Sequence, residues 1–287
     1  MFGIFLAFLA ACLASIKDIF SKGLSSTISG NVSAFTSFAF ALPFYILLVL
    51  VLYLLRIENF QISGYFFTFV ILRACTDSFA ELFKMHALRH ADLSVVSSIL
   101  SLALILLLFT SPIITGDLPT TPGLVGVLFC FLGSIAVAYK KKITRTDTKG
   151  IAFAVASSFF FSLNACFDRL AVQSSSAAIS GFAMTVISCA ILLPLVARNK
   201  DSKREISSNT RPLLGRGFFE VGFMVTRLWS LQYLQAPYVA GIARTALIFS
   251  IISGKVVFKE ENFKLKLAGG VLIAIGSILI IFAGLPK

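Results

Sequence analysis

The sequence is poor in charge. Only 13% of its 287 residues are Asp, Glu, Lys or Arg, where a soluble domain carries about a quarter, so an ordinary water-soluble fold is excluded. There is no GxSxG, HExxH, phosphate-binding glycine loop or paired catalytic Asp motif, which argues against an intramembrane enzyme. An ATP-binding segment is also missing, so a primary pump would need a separate subunit. The five cysteines, Cys12, Cys75, Cys130, Cys166 and Cys189, have no pairwise spacing; they read as small apolar packing residues, and neither a disulfide nor a metal is implied. His86 and His90 have the i, i+4 spacing of metal ligands, but no further ligands lie near them, and they read as an interfacial pair. No cofactor is expected. A basic n-region is absent ahead of the first apolar run, which carries Lys17 and Asp18 and reads as a membrane span and not as a cleaved signal.

What the chain has is apolar length. Hydrophobic residues make up 57% of it and the mean hydropathy is +0.93. The runs are long, not alternating, so the spans are helices and not barrel strands. At roughly 20 residues per span, about ten fit: 2–22, 32–55, 65–88, 93–114, 122–139, 150–172, 177–197, 212–235, 237–257 and 264–285. Gly123, Gly126 and Gly133 mark the fifth as a packing or dimerising helix, so the chain is expected as a monomer or homodimer among membrane lipids. The net charge of +12 sits beside the spans, at Lys140, Lys141, Lys142, Arg145 and Lys149, and at Arg198, Lys200, Lys203, Arg204 and Arg211. That is the positive-inside pattern of cytoplasmic loops and not a nucleic-acid surface. It places both termini outside, in a multi-pass protein of the bacterial inner-membrane kind.

Charges also occur inside spans. Arg73, Asp77, Glu81 and Lys84 form one stripe on the third span, and Arg216, Glu220 and Arg227 repeat it 143 residues later. At the same offset Leu132-Gly133-Ser134-Ile135 matches Ile275-Gly276-Ser277-Ile278, Gly126 matches Gly269, and Asp117 matches Glu260; Phe20-Ser21-Lys22 matches Phe167-Asp168-Arg169 at 147. The chain therefore divides into 1–139, a basic linker 140–149, and 150–287. Five spans per half is an odd number, so the second copy enters from the opposite side. The expected fold is an all-α polytopic membrane protein of two inverted five-helix repeats, an architecture on which alternating-access transporters are commonly built.

The stretch Gly254-Lys255-Val256-Val257-Phe258-Lys259-Glu260-Glu261 followed by Leu267-Ala268-Gly269-Gly270-Val271-Leu272-Ile273-Ala274-Ile275-Gly276-Ser277 resembles the EamA-like members of the drug/metabolite transporter superfamily. Asp117 with the Gly126 to Gly133 helix echoes it in the first half, with Asp for the family's usual Glu, and Lys22 fits a common family Lys. The resemblance implies a central cavity lined by spans 1, 3, 4, 6, 8 and 9. It does not name a cargo.

Each intramembrane charge costs roughly 2.5–3.5 kcal/mol on insertion scales, so it faces an aqueous cavity or a partner. Arg73–Asp77 and Arg216–Glu220, at i, i+4, are either internal salt bridges or part of a site; Arg216, near its helix start, has the further option of snorkelling. Arg244 has no acid within one turn of its own helix and ranks first for substrate binding, then Arg227 beside Trp229 and Gln232, with Lys17 and its repeat mate Asn164 as pocket positions. A guanidinium fork suits carboxylate or phosphate. Glu81, whose repeat mate is Met224, is a candidate for proton coupling or counter-charge, as are Asp77 and Glu220. The leading expectation is a secondary transporter of a small anionic or zwitterionic metabolite such as an amino acid. A flippase holding a lipid-linked phosphate headgroup and a non-transporting scaffold or receptor are the rivals.

Overall fold

The computed structural model describes residues 1–58, 61–118, 120–138, 145–246, 252 and 263–284. Among these, every regular element is a helix: α1 (Phe2–Leu24), α2 (Gly30–Ala39), α3 (Leu42–Leu54), α4 (Phe66–His90), α5 (Leu93–Ile99), α6 (Leu102–Ile114), α7 (Thr121–Ala138), α8 (Arg145–Ser174), α9 (Ala177–Ala197), α10 (Ser202–Ser208), α11 (Thr210–Tyr233), α12 (Ala236–Ala243) and α13 (Phe263–Gly284). Among the described residues, five stretches are long and apolar enough to cross a bilayer on length and composition alone. Leu, Ile and Phe side chains stand exposed along them, including Phe5, Leu47, Ile113 and Phe159, as expected for helices whose outer solvent is lipid. The chain is an integral membrane protein.

Three of the expected spans are not continuous. The second breaks at Phe40 and Ala41 between α2 and α3. Pro43 stands at the start of α3 and has no N–H to continue the ladder, and the broken turn presses on α11, where a Cβ on Gly217 would lie 2.2 Å from the Phe40 carbonyl oxygen. The fourth breaks at Leu100 and Ser101 between α5 and α6. Part-way through the ninth, α12 stops at Ala243, before a turn at Arg244 and Thr245. Both of these last breaks are tightened by i→i+3 bonds, Leu104 N–H to Ser101 at 3.0 Å and Arg244 N–H to Gly241 at 3.0 Å. Ser101 and Arg244 are 143 residues apart. The basic stretch 140–149 is helical from Arg145 onward, and the rest of it falls outside the described residues, as do most of 247–262 and with them Glu260.

The helices pack in antiparallel pairs drawn from the two parts of the chain. A Cβ on Gly3 at the start of α1 would meet Tyr233 and Leu234 at the end of α11, while Phe20 near the end of α1 stacks on Phe219. Likewise α4 runs against α8: Ser63 N–H reaches the Ser174 carbonyl at one end, and Gly150 packs on Ala87 and Ala91 at the other. The glycine seam of α7 meets that of α13, with Cβ positions on Gly126 and Gly133 only 2.7 and 2.5 Å from the carbonyl oxygens of Gly276 and Gly269. The expected packing role of α7 is thus met inside one chain. These pairings surround a charged centre.

Candidate functional site

A cavity of about 150 Å³ lies between α1, α2, α4, α5, α6, α8, α11 and α12. Its wall includes Lys17, Asp18, Arg73, Asp77, Glu81, Lys84, Glu220, Arg227 and Arg244. All four charges of the α4 stripe face it, and so do Glu220 and Arg227 of the second stripe. Arg216 does not line it. It is fully buried at 0% exposure, neither snorkelling nor paired with Glu220: it donates to Ser33 Oγ at 2.9 Å, the Ser33 carbonyl at 2.7 Å and Thr36 Oγ1 at 2.7 Å. Of the options open to it, the i, i+4 bridge is not formed because α2 packs over that turn and offers the hydroxyls of Ser33 and Thr36.

The ion pairs run across helices. Lys17 of α1 binds Glu220 of α11 at 3.1 Å. Lys84 of α4 binds Asp18 at 2.6 Å and stands 4.0 Å from Glu81, whose other oxygen accepts from Ser37 at 3.0 Å. Arg73 does form its i, i+4 pair with Asp77, at 2.7 Å, and also takes Asp168 of α8 at 2.5 Å. The second oxygen of Asp168 lies 3.0 Å from Arg227. Such geometry offsets part of the large cost of burying charge.

Arg244 is the exception. It donates to Ser101 Oγ at 3.4 Å and to the Ala240 carbonyl at 3.3 Å, and among the described residues no carboxylate lies within ion-pair distance of it. Across the cluster, Lys17, Arg73, Lys84, Arg216, Arg227 and Arg244 face Asp18, Asp77, Glu81, Asp168 and Glu220, one cation in excess.

Two expected pocket residues lie elsewhere. Asn164 is fully buried behind the wall, donating to Asp77 Oδ1 at 3.0 Å and accepting from Thr76 at 2.5 Å; it orients a wall carboxylate. Trp229 points away from the centre, because two residues beyond Arg227 it falls on the opposite side of α11. It lines a separate cavity of about 770 Å³ with Glu58, Gln61, Gln173 and Gln232, and its indole N–H donates to Glu58. Asp168 and Asp18 were not among the expected site residues. The alignment of Asp168 with Ser21 at the 147-residue offset held the clue, a carboxylate where the matching stretch has a hydroxyl. His86 and His90 are engaged separately, with the Asn31 side chain at 2.9 Å and the His86 carbonyl at 2.8 Å.

Residues 148–282 match the EamA-like transporter family. The second part of the chain is thereby similar to a family of membrane transporters within the drug/metabolite transporter superfamily. No curated protein matches the sequence. In three dimensions 28 solved chains match; one crystal structure of a protein, 12% identical, superposes with a TM-score of 0.68 over 98% of this chain and 97% of its own. At that identity the likeness is one of fold. It takes in the part of the chain that precedes the EamA-like match, so both parts belong to one architecture.

Proposed function

We propose that the chain is a secondary transporter that moves a small organic anion or zwitterion, such as an amino acid, by alternating access, with no enzymatic step. Two inverted five-helix repeats, 1–139 and 150–287 joined by the basic linker, would form its halves, with both termini outside a bacterial inner membrane on the charge bias. The antiparallel pairing of α1 with α11, α4 with α8 and α7 with α13 supports the two-fold relation, and the EamA-like match supports transport.

One observation carries the cargo assignment: Arg244 faces the cavity from a broken helix, bonded to a hydroxyl and a carbonyl, with no carboxylate within ion-pair distance among the described residues. A guanidinium left in this state favours an incoming carboxylate or phosphate oxygen. Arg227 stands on the same wall with its charge shared by Asp168, and Lys17 by Glu220; these two would hold the cargo's surroundings, with Arg244 as the anchor. The cavity's 150 Å³ is below the roughly 300–1,000 Å³ of drug-sized pockets, which suits a small metabolite better than a lipid-linked sugar. Of the three candidate coupling carboxylates, Asp77 and Glu220 have cations at 2.7 and 3.1 Å whereas Glu81 has its nearest at 4.0 Å. We assign coupling to Glu81, the one of the three with no cation closer than 4.0 Å and, with Met224 at the matching position, no acidic counterpart.

Uptake of a panel of small carboxylates and amino acids into proteoliposomes tests the reading. Arg244→Ala is expected to lower uptake of the best substrate roughly ten- to a hundredfold, the scale of one lost charged hydrogen bond. Unchanged uptake would remove Arg244 from the site.

A further inference from the structure

Two cations outside the cavity wall do the same work at opposite ends of the molecule. Lys22, in the last turn of α1, donates to the carbonyls of Leu88 at 2.8 Å and Ala91 at 2.7 Å, where α4 ends and turns into α5. Arg169 of α8 donates to the carbonyls of Leu231 at 2.5 Å and Leu234 at 2.9 Å, where α11 ends and turns into α12. Its guanidinium also lies 2.9 Å from Asp117, which accepts the Ala236 N–H that opens α12, at 3.2 Å. The carbonyl pairs are 143 residues apart and the cations 147, so one device occurs twice. Each cation meets carbonyls that a helix end leaves without intrahelical partners and stands at the negative end of that helix. Because α1 and α11 are antiparallel, the two corners lie at opposite ends of the bundle.

What each corner carries is the cavity wall. The α4–α5 corner leads back to Arg73 through Lys84 and forward to Ser97 and Leu100; the α11–α12 corner leads back to Glu220 and Arg227 and forward to Ala240 and Arg244. Freeing a corner therefore frees two walls at one end and leaves the other end fastened.

We propose that Lys22 and Arg169 are the paired latches of the transport cycle, positioning residues that never touch the cargo. Each clasps a cavity-forming hairpin, and the cavity opens at the end whose latch has let go. Both latches are closed in this structure. The inference rests on the alternating-access reading of the fold.

Its test is the sidedness of access, which needs no cargo. In full-length protein with the native cysteines replaced, Ala14→Cys puts a thiol in the cavity wall, and a membrane-impermeant maleimide is applied to intact cells and to inside-out vesicles. Lys22→Gln should raise labelling about tenfold, the scale of a lost charged hydrogen bond, from the face on which α4 ends and only from there. Arg169→Gln should do so from the opposite face. Lys22→Arg and Arg169→Lys, which keep the charge, should give lesser rises on the same respective faces and stand in if the Gln variants do not fold. Rises on one common face, equal rises on both, or none would overturn the latches. Uptake of a solute with labelling unmoved would sink the latches alone; mirrored labelling with no solute carried would sink the transporter reading instead.

Discussion

Asp168 offers the sharpest test of how the centre is held together. Its side chain is 0% exposed and serves two cations, Arg73 at 2.5 Å and Arg227 at 3.0 Å. Asp168→Asn keeps the shape and removes the charge. Arg73 would retain Asp77 at 2.7 Å, but among the described residues Arg227 would keep only the ring of Phe223, 5.9 Å away. Breaking a buried pair by removing one partner costs about 3–5 kcal/mol, because the other charge stays buried without compensation. That cost has a signature. If Arg227 is the orphan, Arg227→Gln should be milder in the Asp168→Asn background than alone, and the double variant should fall short of the sum by about 1–3 kcal/mol. The four proteins would be compared by SDS-induced unfolding in mixed micelles. Additivity to within about 0.5 kcal/mol would refute the shared role of Asp168.

Two further outcomes follow from close contacts. Gly126→Val should destabilise the fold by at least about 1–3 kcal/mol, read as loss of monodisperse protein on heating, because its Cβ would meet the Gly276 carbonyl at 2.7 Å and backbone cannot step aside. Glu58→Ala should expose Trp229, the sole tryptophan, since Glu58 accepts both the indole N–H and the Ala178 N–H at the start of α9. A red-shifted, more quenchable emission is expected, and an unchanged spectrum would show that the α3–α4 segment is held by other contacts.

Much of the fold was legible because bilayer thickness fixes span length. The apolar runs 93–114 and 177–197 coincide with α5–α6 and α9, and 2–22 and 65–88 with α1 and α4 to within two residues. Breaks were less legible. Pro43 was a signal for the first, but the break at Ser101 has no proline beside it, Pro112 lying a full three turns on inside α6. Partner choice was legible only where it is local. Arg73–Asp77 follows from i, i+4 spacing on one helix, whereas Lys17–Glu220 and Arg227–Asp168 depend on which helices touch, and a single sequence does not record that. Trp229 misled because nearness in sequence to Arg227 is not a shared face: two residues along a helix point about 200° apart.

The repeat offsets turn those partner choices into a pattern. The Asn164 bond to Asp77 at 3.0 Å is the counterpart of the Lys17 pair with Glu220 at 3.1 Å, since 17 and 164 differ by 147 and 77 and 220 by 143. Around the cavity, five departures from that correspondence add charge: Lys17 against Asn164, Asp18 against Ala165, Glu81 against Met224, Asp168 against Ser21, and Arg244 against Ser101. Four of the five have a counter-charge in place, on Glu220, Lys84, Lys84 again at longer range, and Arg73 with Arg227. Among the described residues, Arg244 is instead met by Ser101, the residue at its matching position, through a hydroxyl at 3.4 Å. Arg244 is thus, among the described residues, the addition without a counter-charge, at the helix break beside Ser101, and the anionic cargo proposed above would supply one.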